Sequence, residues 1–171
     1  RGRDISHLLR VRGRTRRRQA VSAPTPAGAP TAWVVGTFDT KAAELQYLAG
    51  LLRAAGVRVV TVDIGTRSAP GVADIGARDV ARHHPAGEGA VFDATDRGVA
   101  VIAMSEALGN LVRERLAAGQ IDGMLGVGGS GGSSMVAPAM RLLPIGCPKL
   151  LVSTMAAGDV SAYVGVTDMT L

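Results

Sequence analysis

Along this chain, apolar runs of strand length alternate with apolar positions spaced three and four apart. Ala32-Trp33-Val34-Val35 is an uninterrupted apolar run closed by Gly36, the profile of a strand buried on both faces. Asp39 or Thr40 can then cap a helix on which Leu45, Leu48, Leu52 and Ala55 share one side, and Gly56 is placed to end it. Residues 57–64 form the next apolar run, with Asp63 near its carboxyl end. Strand, helix and strand in about thirty residues make a βαβ unit.

The alternation continues. Residues 65–71 read as a loop, and 75–83 as a short helix capped by Asp74 and stopped by Pro85-Ala86-Gly87. Asp93 or Thr95 opens a longer helix reaching Ala118, with Val99, Ile102, Leu108, Leu111, Val112 and Leu116 as its apolar side and Gly119 at its end. Residues 124–127 are a third strand, the Gly/Ser run 128–134 a loop, and 135–143 a helix stopped by Pro144. Residues 149–153 predict a fourth strand and 163–166 a fifth. Strands and helices in this order predict an α/β fold: a Rossmann-like, doubly wound parallel sheet. No capping helix follows the last strand, so the domain reads as the first subdomain of a larger, truncated one.

Composition changes this picture in one place. The chain has 171 residues, 47% of them apolar, and a formal charge of +5. Residues 1–18 hold eight arginines and one acid, Asp4, a balance of +7; 11 basic and 13 acidic residues remain, so the rest carries −2. Residues 1–30, Arg-rich and then Ala/Pro-rich, therefore read as a disordered leader, and 31–171 as the Rossmann-like subdomain. The leader could bind nucleic acid or anionic lipid. Elsewhere nucleic acid is an unlikely partner, because five aromatics are poor material for base-stacking surfaces. No run approaches the roughly 18 apolar residues of a membrane-spanning helix, and no secretory signal is visible, which points to a cytoplasmic protein with no membrane partner. Cys147 is the single cysteine, which excludes an internal disulfide.

Two loops occupy the place where open α/β sheets bind ligands, beyond the carboxyl ends of the strands. The first is Gly36-Thr37-Phe38-Asp39-Thr40-Lys41. The second is Gly128-Gly129-Ser130-Gly131-Gly132-Ser133-Ser134. Glycines let backbone N–H groups approach an anion, a helix N-terminus favours negative charge, and the Ser and Thr hydroxyls and Lys41 add donors. Asp39 can cap its helix, and Asp63 can hold a ribose, although the first loop lacks the glycine triplet.

Residues 126–131 also satisfy the dinucleotide pattern G-x-G-x-x-G, yet the expected acid about twenty residues on is replaced by Ser153 and Thr154. Residues 128–132 fit G-x-S-x-G, which makes Ser130 a candidate nucleophile. All three histidines, His7, His83 and His84, precede it, against the order of the α/β hydrolases. There is no Gly-Lys-Ser/Thr, so this is not a P-loop NTPase. Asp96 and Arg97 could cap a helix or face the cleft; His83-His84 reads as a helix end and Cys147 as a small buried residue.

Several blocks in order carry a resemblance. They are Val35-Gly36-Thr37-Phe38-Asp39-Thr40-Lys41 with Glu44-Leu45, then Gly126 through Ser134, then Leu143-Pro144-Ile145-Gly146-Cys147-Pro148-Lys149. Val152-Ser153-Thr154-Met155-Ala156-Ala157-Gly158 and Tyr163-Val164-Gly165-Val166-Thr167-Asp168-Met169 complete the set. From Trp33 onward the chain resembles the N-terminal half of the ATP-binding domain family of the tomato mosaic virus resistance protein, whose bacterial and fungal relatives form uncharacterised family 0261. The resemblance implies a two-subdomain nucleotide-binding protein, ATP with Mg²⁺ as ligand, and a homodimer in the full-length family. An enzyme acting on a small phosphorylated or acyl substrate through Ser130 is the alternative.

Overall fold

A computed structural model describes residues 28–67 and 71–171; the arginine-rich part of the expected leader lies outside them. Four parallel strands form one sheet in the order β2-β1-β3-β4: β1 (Thr31–Gly36), β2 (Arg58–Asp63), β3 (Gly123–Gly128) and β4 (Lys149–Ser153). In register, Val35 faces Val62 on one side and Gly126 on the other, and Gly128 pairs with Ser153. The first crossover, α1 (Phe38–Ala54), moves the chain from β1 outward to β2. The second runs through α2 (Ala77–Ala81), α3 (Gly89–Phe92) and α4 (Arg97–Ala117) back across β1 to β3, and α5 (Ser130–Met140) leads on to β4. Chain direction across the sheet thus reverses between β1 and β3. Right-handed crossovers then put α1 on one face and α4 with α5 on the other.

The central strands β1 and β3 are buried on both faces, as their apolar runs predict, whereas β4 is buried on one face only, and the two faces of the sheet differ. Successive side chains alternate across a sheet, so Trp33 and Val35 meet Met104, Leu108, Leu111, Val136 and Met140 beneath α4 and α5. Val34 and Val127 meet Phe38, Leu45 and Ala49 of α1 in a smaller cluster. α1 packs over β2 and β1 and reaches β3. On β4, Leu151 is fully buried while its neighbours Leu150 and Val152 are 40% and 47% exposed.

The fold agrees with the expected α/β class, with local corrections. Helix α5 starts at Ser130, five residues earlier than the apolar pattern suggests, because the Gly/Ser run forms its first turn after an extended Gly129. Residues 163–166 are not a strand: α6 (Ser161–Val164) takes their place, ended by Gly165 at φ 59°. Pairing beside β4 appears instead as a bridge from Leu150 to Thr170. Asp96, rather than Asp93 or Thr95, caps α4 by accepting from the Val99 N–H at 2.9 Å. Asp74 caps no helix; it accepts from the backbone and hydroxyl of Thr61, and Ile75 bridges Val62. Gly56 and Gly119 end their helices at φ 83° and 66°, a conformation that favours glycine.

The fully buried Lys149 side chain ties down the following segment. Its ammonium donates to the carbonyls of Pro144 and Cys147 and pairs with Asp168. That hydrogen bond, with a second from the Gly146 N–H, holds the Asp168 carboxyl below the usual aspartate range. Among the described residues, no helix is long and apolar enough to cross a membrane.

Candidate functional site

At the carboxyl end of the sheet, where β1 and β3 diverge toward opposite faces, the two loops singled out in the sequence meet. They line a cleft of about 250 Å³. One wall is Thr37, Asp39, Thr40 and Lys41 at the start of α1; the other is Gly129, Ser130, Gly131 and Gly132 at the start of α5. Thr66, Arg97 and Val101 close the sides, and Met135 lies at the buried floor. This is the topological switch point of the 2-1-3-4 order, where the parallel-sheet architecture leaves a crevice.

The two walls are built differently. On the β3–α5 side the backbone does the work. Gly128 must lack a side chain: a Cβ there would stand 2.6 Å from the Ser133 backbone nitrogen and 2.7 Å from the Gly132 carbonyl carbon. This close approach brings the first turn of α5 against the strand end. The first intrahelical bond from that turn is the Ser133 N–H to the Gly129 carbonyl, at 2.8 Å. Helix geometry leaves the N–H groups of Ser130, Gly131 and Gly132 without intrahelical acceptors, and all three residues line the cleft.

On the β1–α1 side, side chains carry the polarity. The Thr37 and Thr40 hydroxyls bond each other at 2.8 Å, and Lys41 pairs with Glu44 at 3.1 Å. Lys41 has a non-helical backbone (φ −127°, ψ 16°), which sets the first turn at an angle to the rest of α1. Thr37 occupies the N-cap position, where the sequence suggested Asp39 or Thr40, and makes no side-chain cap. Asp39 is thus an exposed carboxylate on the cleft wall. The backbone N–H of Glu44 itself, and after it the hydrogen bond from Lys41, hold the Glu44 carboxyl below the usual glutamate range.

Arg97 is the cation that the sequence left undecided between cap and cleft. It is the first residue of α4, is exposed, and forms no hydrogen bond or ion pair among the described residues. A cation at a helix N-terminus opposes the macrodipole.

Four expected ligand contacts are placed elsewhere. Asp63 is 1% exposed and its Oδ1 accepts from the Phe38 and Gly65 N–H groups at 3.0 and 2.8 Å, bracing the turns after β1 and β2 rather than facing a ribose. Gly36 is a packing glycine: a Cβ there would meet the Val127 carbonyl at 2.8 Å and Leu45 at 2.9 Å. Ser133 is fully buried, and its hydroxyl bonds that of Ser153 at 2.6 Å, linking α5 to β4 instead of pointing into the cleft. Gly128 lies behind the cleft as the contact glycine already described.

Ser130 reaches the cleft, but among the described residues no histidine lines it. His83 and His84 pair with Glu114 and Glu106 beside α4. Cys147 donates its thiol to the Asp122 carbonyl at 3.3 Å, and burial pushes that thiol up from its ordinary value, away from nucleophilic thiolate character. Among the described residues, no group of three or more His, Cys, Asp or Glu side chains could hold a metal ion by itself.

Sequence reasoning missed Thr66, because the loop after β2 carries no motif. It also missed an apolar slot of about 490 Å³ beside the cleft, lined by Tyr47, Leu48, Val127, Gly128, Val152 and Thr154 together with Lys41, Ala43 and Glu44. Its signal is faint: Tyr47 falls off the apolar side of α1, and Val152 sits in an apolar run expected to be buried on both faces.

Comparison with known proteins places this arrangement among relatives. Residues 30–171 match the family described as "Uncharacterised protein family (UPF0261) N-terminal domain". A UPF0261 protein of Mesorhizobium japonicum is 48% identical over 137 residues, covering 80% of this chain and 34% of the relative. A UPF0261 protein of Clostridium tetani is 32% identical over 139 residues, covering 81% of this chain and 34% of its own length. The "ToMV resistance protein Tm-1(GCR237)" of Solanum lycopersicum is 33% identical over 165 residues, covering 87% of this chain and 22% of its own. The chain therefore spans about a third or less of the length of these curated relatives.

Proposed function

This chain belongs to the UPF0261 family as its N-terminal domain, and on that footing we propose that its cleft binds the phosphate groups of a nucleotide, ATP with Mg²⁺. The observation that carries the reading is the meeting of two chemically different anion-binding walls at one switch point. The N-terminal turn of α5 offers N–H groups that its own helix leaves without acceptors, Arg97 supplies a cation that forms no ion pair among the described residues, and Lys41, paired with Glu44, lies on the same cleft as Asp39. The dipole of α5 points its positive end into the same space. A chain of phosphates satisfies all of these groups at once, whereas an apolar ligand would leave them desolvated and unpaired.

The Mg²⁺ fits as a companion of the phosphates. Mg²⁺ is commonly held by one or two carboxylates plus substrate phosphates and water, not by an all-protein cage. Asp39 is the carboxylate on the cleft wall, and the Thr37 and Thr40 hydroxyls flank it. With Mg²⁺ bound, the charge on the phosphate oxygens would be further neutralised; this chain's own residues bind and orient. Among the described residues no histidine lines the cleft to act as a base beside Ser130, which supports binding over acyl transfer.

Calorimetric titration of ATP–Mg²⁺ into the full chain, with NAD as comparator, tests the reading. Saturable ATP binding that weakens about tenfold in Arg97→Ala, equivalent to about 1.4 kcal/mol, is the expected result. Heat with neither ligand, or the same affinity in wild type and Arg97→Ala, would refute it.

A further inference from the structure

We infer that the apolar slot beside the cleft is a second compartment of the same binding site, and that it takes the flat base of the nucleotide whose phosphates the cleft holds. The inference rests on the phosphate-binding reading above. It adds where the rest of the ligand lies and what makes the ligand a nucleotide instead of a bare phosphate.

The two spaces adjoin at Lys41. Lys41 lines both, and Gly128 in the slot is followed directly by Gly129 in the cleft. Thr154 of the slot sets its hydroxyl 3.8 Å from where a Cβ on Gly129 would stand, so the two walls adjoin there. A ligand anchored at the N-terminal turn of α5 would reach the slot past the Lys41 side chain.

The walls differ in chemistry as the two halves of a nucleotide differ. The cleft is lined with hydroxyls, glycine backbone and two cations, whereas Tyr47, Leu48, Val127 and Val152 make the slot predominantly apolar. Tyr47 is 66% exposed and Val152 47% exposed, so both present apolar surface that a flat ligand would cover. An aromatic ring on one side and an aliphatic side chain on the other is a pattern that recognises bases by stacking and apolar contact. Glu44 and Thr154 at the rim supply an acceptor and a hydroxyl for a base edge. At about 490 Å³, the slot is in the size range of small-molecule sites, typically about 300–1,000 Å³.

The test compares ATP–Mg²⁺ with inorganic tripolyphosphate–Mg²⁺ by calorimetry on the full chain and on its Tyr47→Ala and Val152→Gln variants. Both positions are exposed, so the fold tolerates the changes; circular dichroism and sedimentation velocity on each variant check the fold and the oligomeric state. The expected result is ATP binding at least tenfold tighter than tripolyphosphate, with that ratio falling toward one in both variants. Equal affinity for the two ligands, or a ratio that neither variant changes, would overturn the base compartment while leaving the phosphate cleft in place. Binding of neither ligand would overturn both readings. A change of oligomeric state in the variants without a change in the ratio would assign the slot to contact between copies of the chain and overturn the proposal.

Discussion

The turn after β1 and the turn after β3 enter one cleft from opposite faces of the sheet, yet they are made of different material. The β3–α5 turn works through its backbone: Gly128 permits a contact that a side chain would forbid, and the glycines after it leave helix N–H groups uncovered. The β1–α1 turn works through side chains, with Thr37, Asp39, Thr40 and Lys41 on the cleft and Gly36 hidden beneath. Glycine thus has opposite meanings within a few residues. At Gly128 and Gly36 it is a packing requirement, whereas at Gly131, where a Cβ would meet nothing within 4 Å, it keeps the cleft open.

The sharpest way to break this comparison is to add one methyl group at each kind of glycine. Gly128→Ala drives a Cβ into backbone atoms that cannot turn aside, and overpacking of this kind costs about 3 kcal/mol. Urea unfolding should show that loss or failure to fold; a variant as stable as the parent would mean that the contact is not fixed. Next in size is Arg97→Ala, where affinity for ATP–Mg²⁺ and unliganded stability should move in opposite directions. Removing a cation from the first turn of α4 should stabilise the free protein by about 0.3–1 kcal/mol as the ligand is lost. If both fall together, Arg97 supports the fold rather than the ligand.

Ser133→Ala separates structure from binding on the same turn. Losing its bond to Ser153 should lower stability by about 1 kcal/mol, read by thermal unfolding, with ATP affinity unchanged within twofold. A larger fall in affinity would return Ser133 to the ligand. The smallest structural effect belongs to Gly131→Ala. Replacing a helical glycine where space is open should stabilise the fold by up to about 1 kcal/mol. The added methyl should weaken the ligand, and calorimetry that finds affinity intact would place the phosphates away from this residue.

Most of the fold could be read from the chain because its strands are short, mainly apolar runs and its longer helices carry spaced apolar positions. Gly56 and Gly119 mark helix ends by the left-handed backbone they adopt. The start of α5 could not be read, since Gly131 and Gly132 oppose helix formation locally and only the contact of Gly128 with the turn above it settles their conformation. The reading of residues 163–166 as a strand failed because Gly165 takes φ 59° and the Arg141 guanidinium instead binds the carbonyls of Ala162 and Tyr163.

For the site, the two loops were legible as glycine, hydroxyl and lysine at strand ends. The division of labour within them was not. Nothing in the local sequence distinguishes Ser133, locked to Ser153, from Ser130 on the cleft. Likewise, Asp63 is a carboxylate at a strand end in a ligand-binding position, and only its bonds to Phe38 and Gly65 reveal a brace. The apolar slot requires knowing that α1 stops short of β4, a fact of packing and not of pattern.

The most direct measurement is an amide chemical-shift titration of the isotopically labelled full chain with ATP–Mg²⁺. The expected result is a saturable response centred on the backbone of Gly129, Ser130, Gly131 and Gly132, with a second group at Thr37, Thr40 and Lys41. No response at either turn, or one centred elsewhere on the molecule, would contradict a phosphate site at the meeting of β1 and β3.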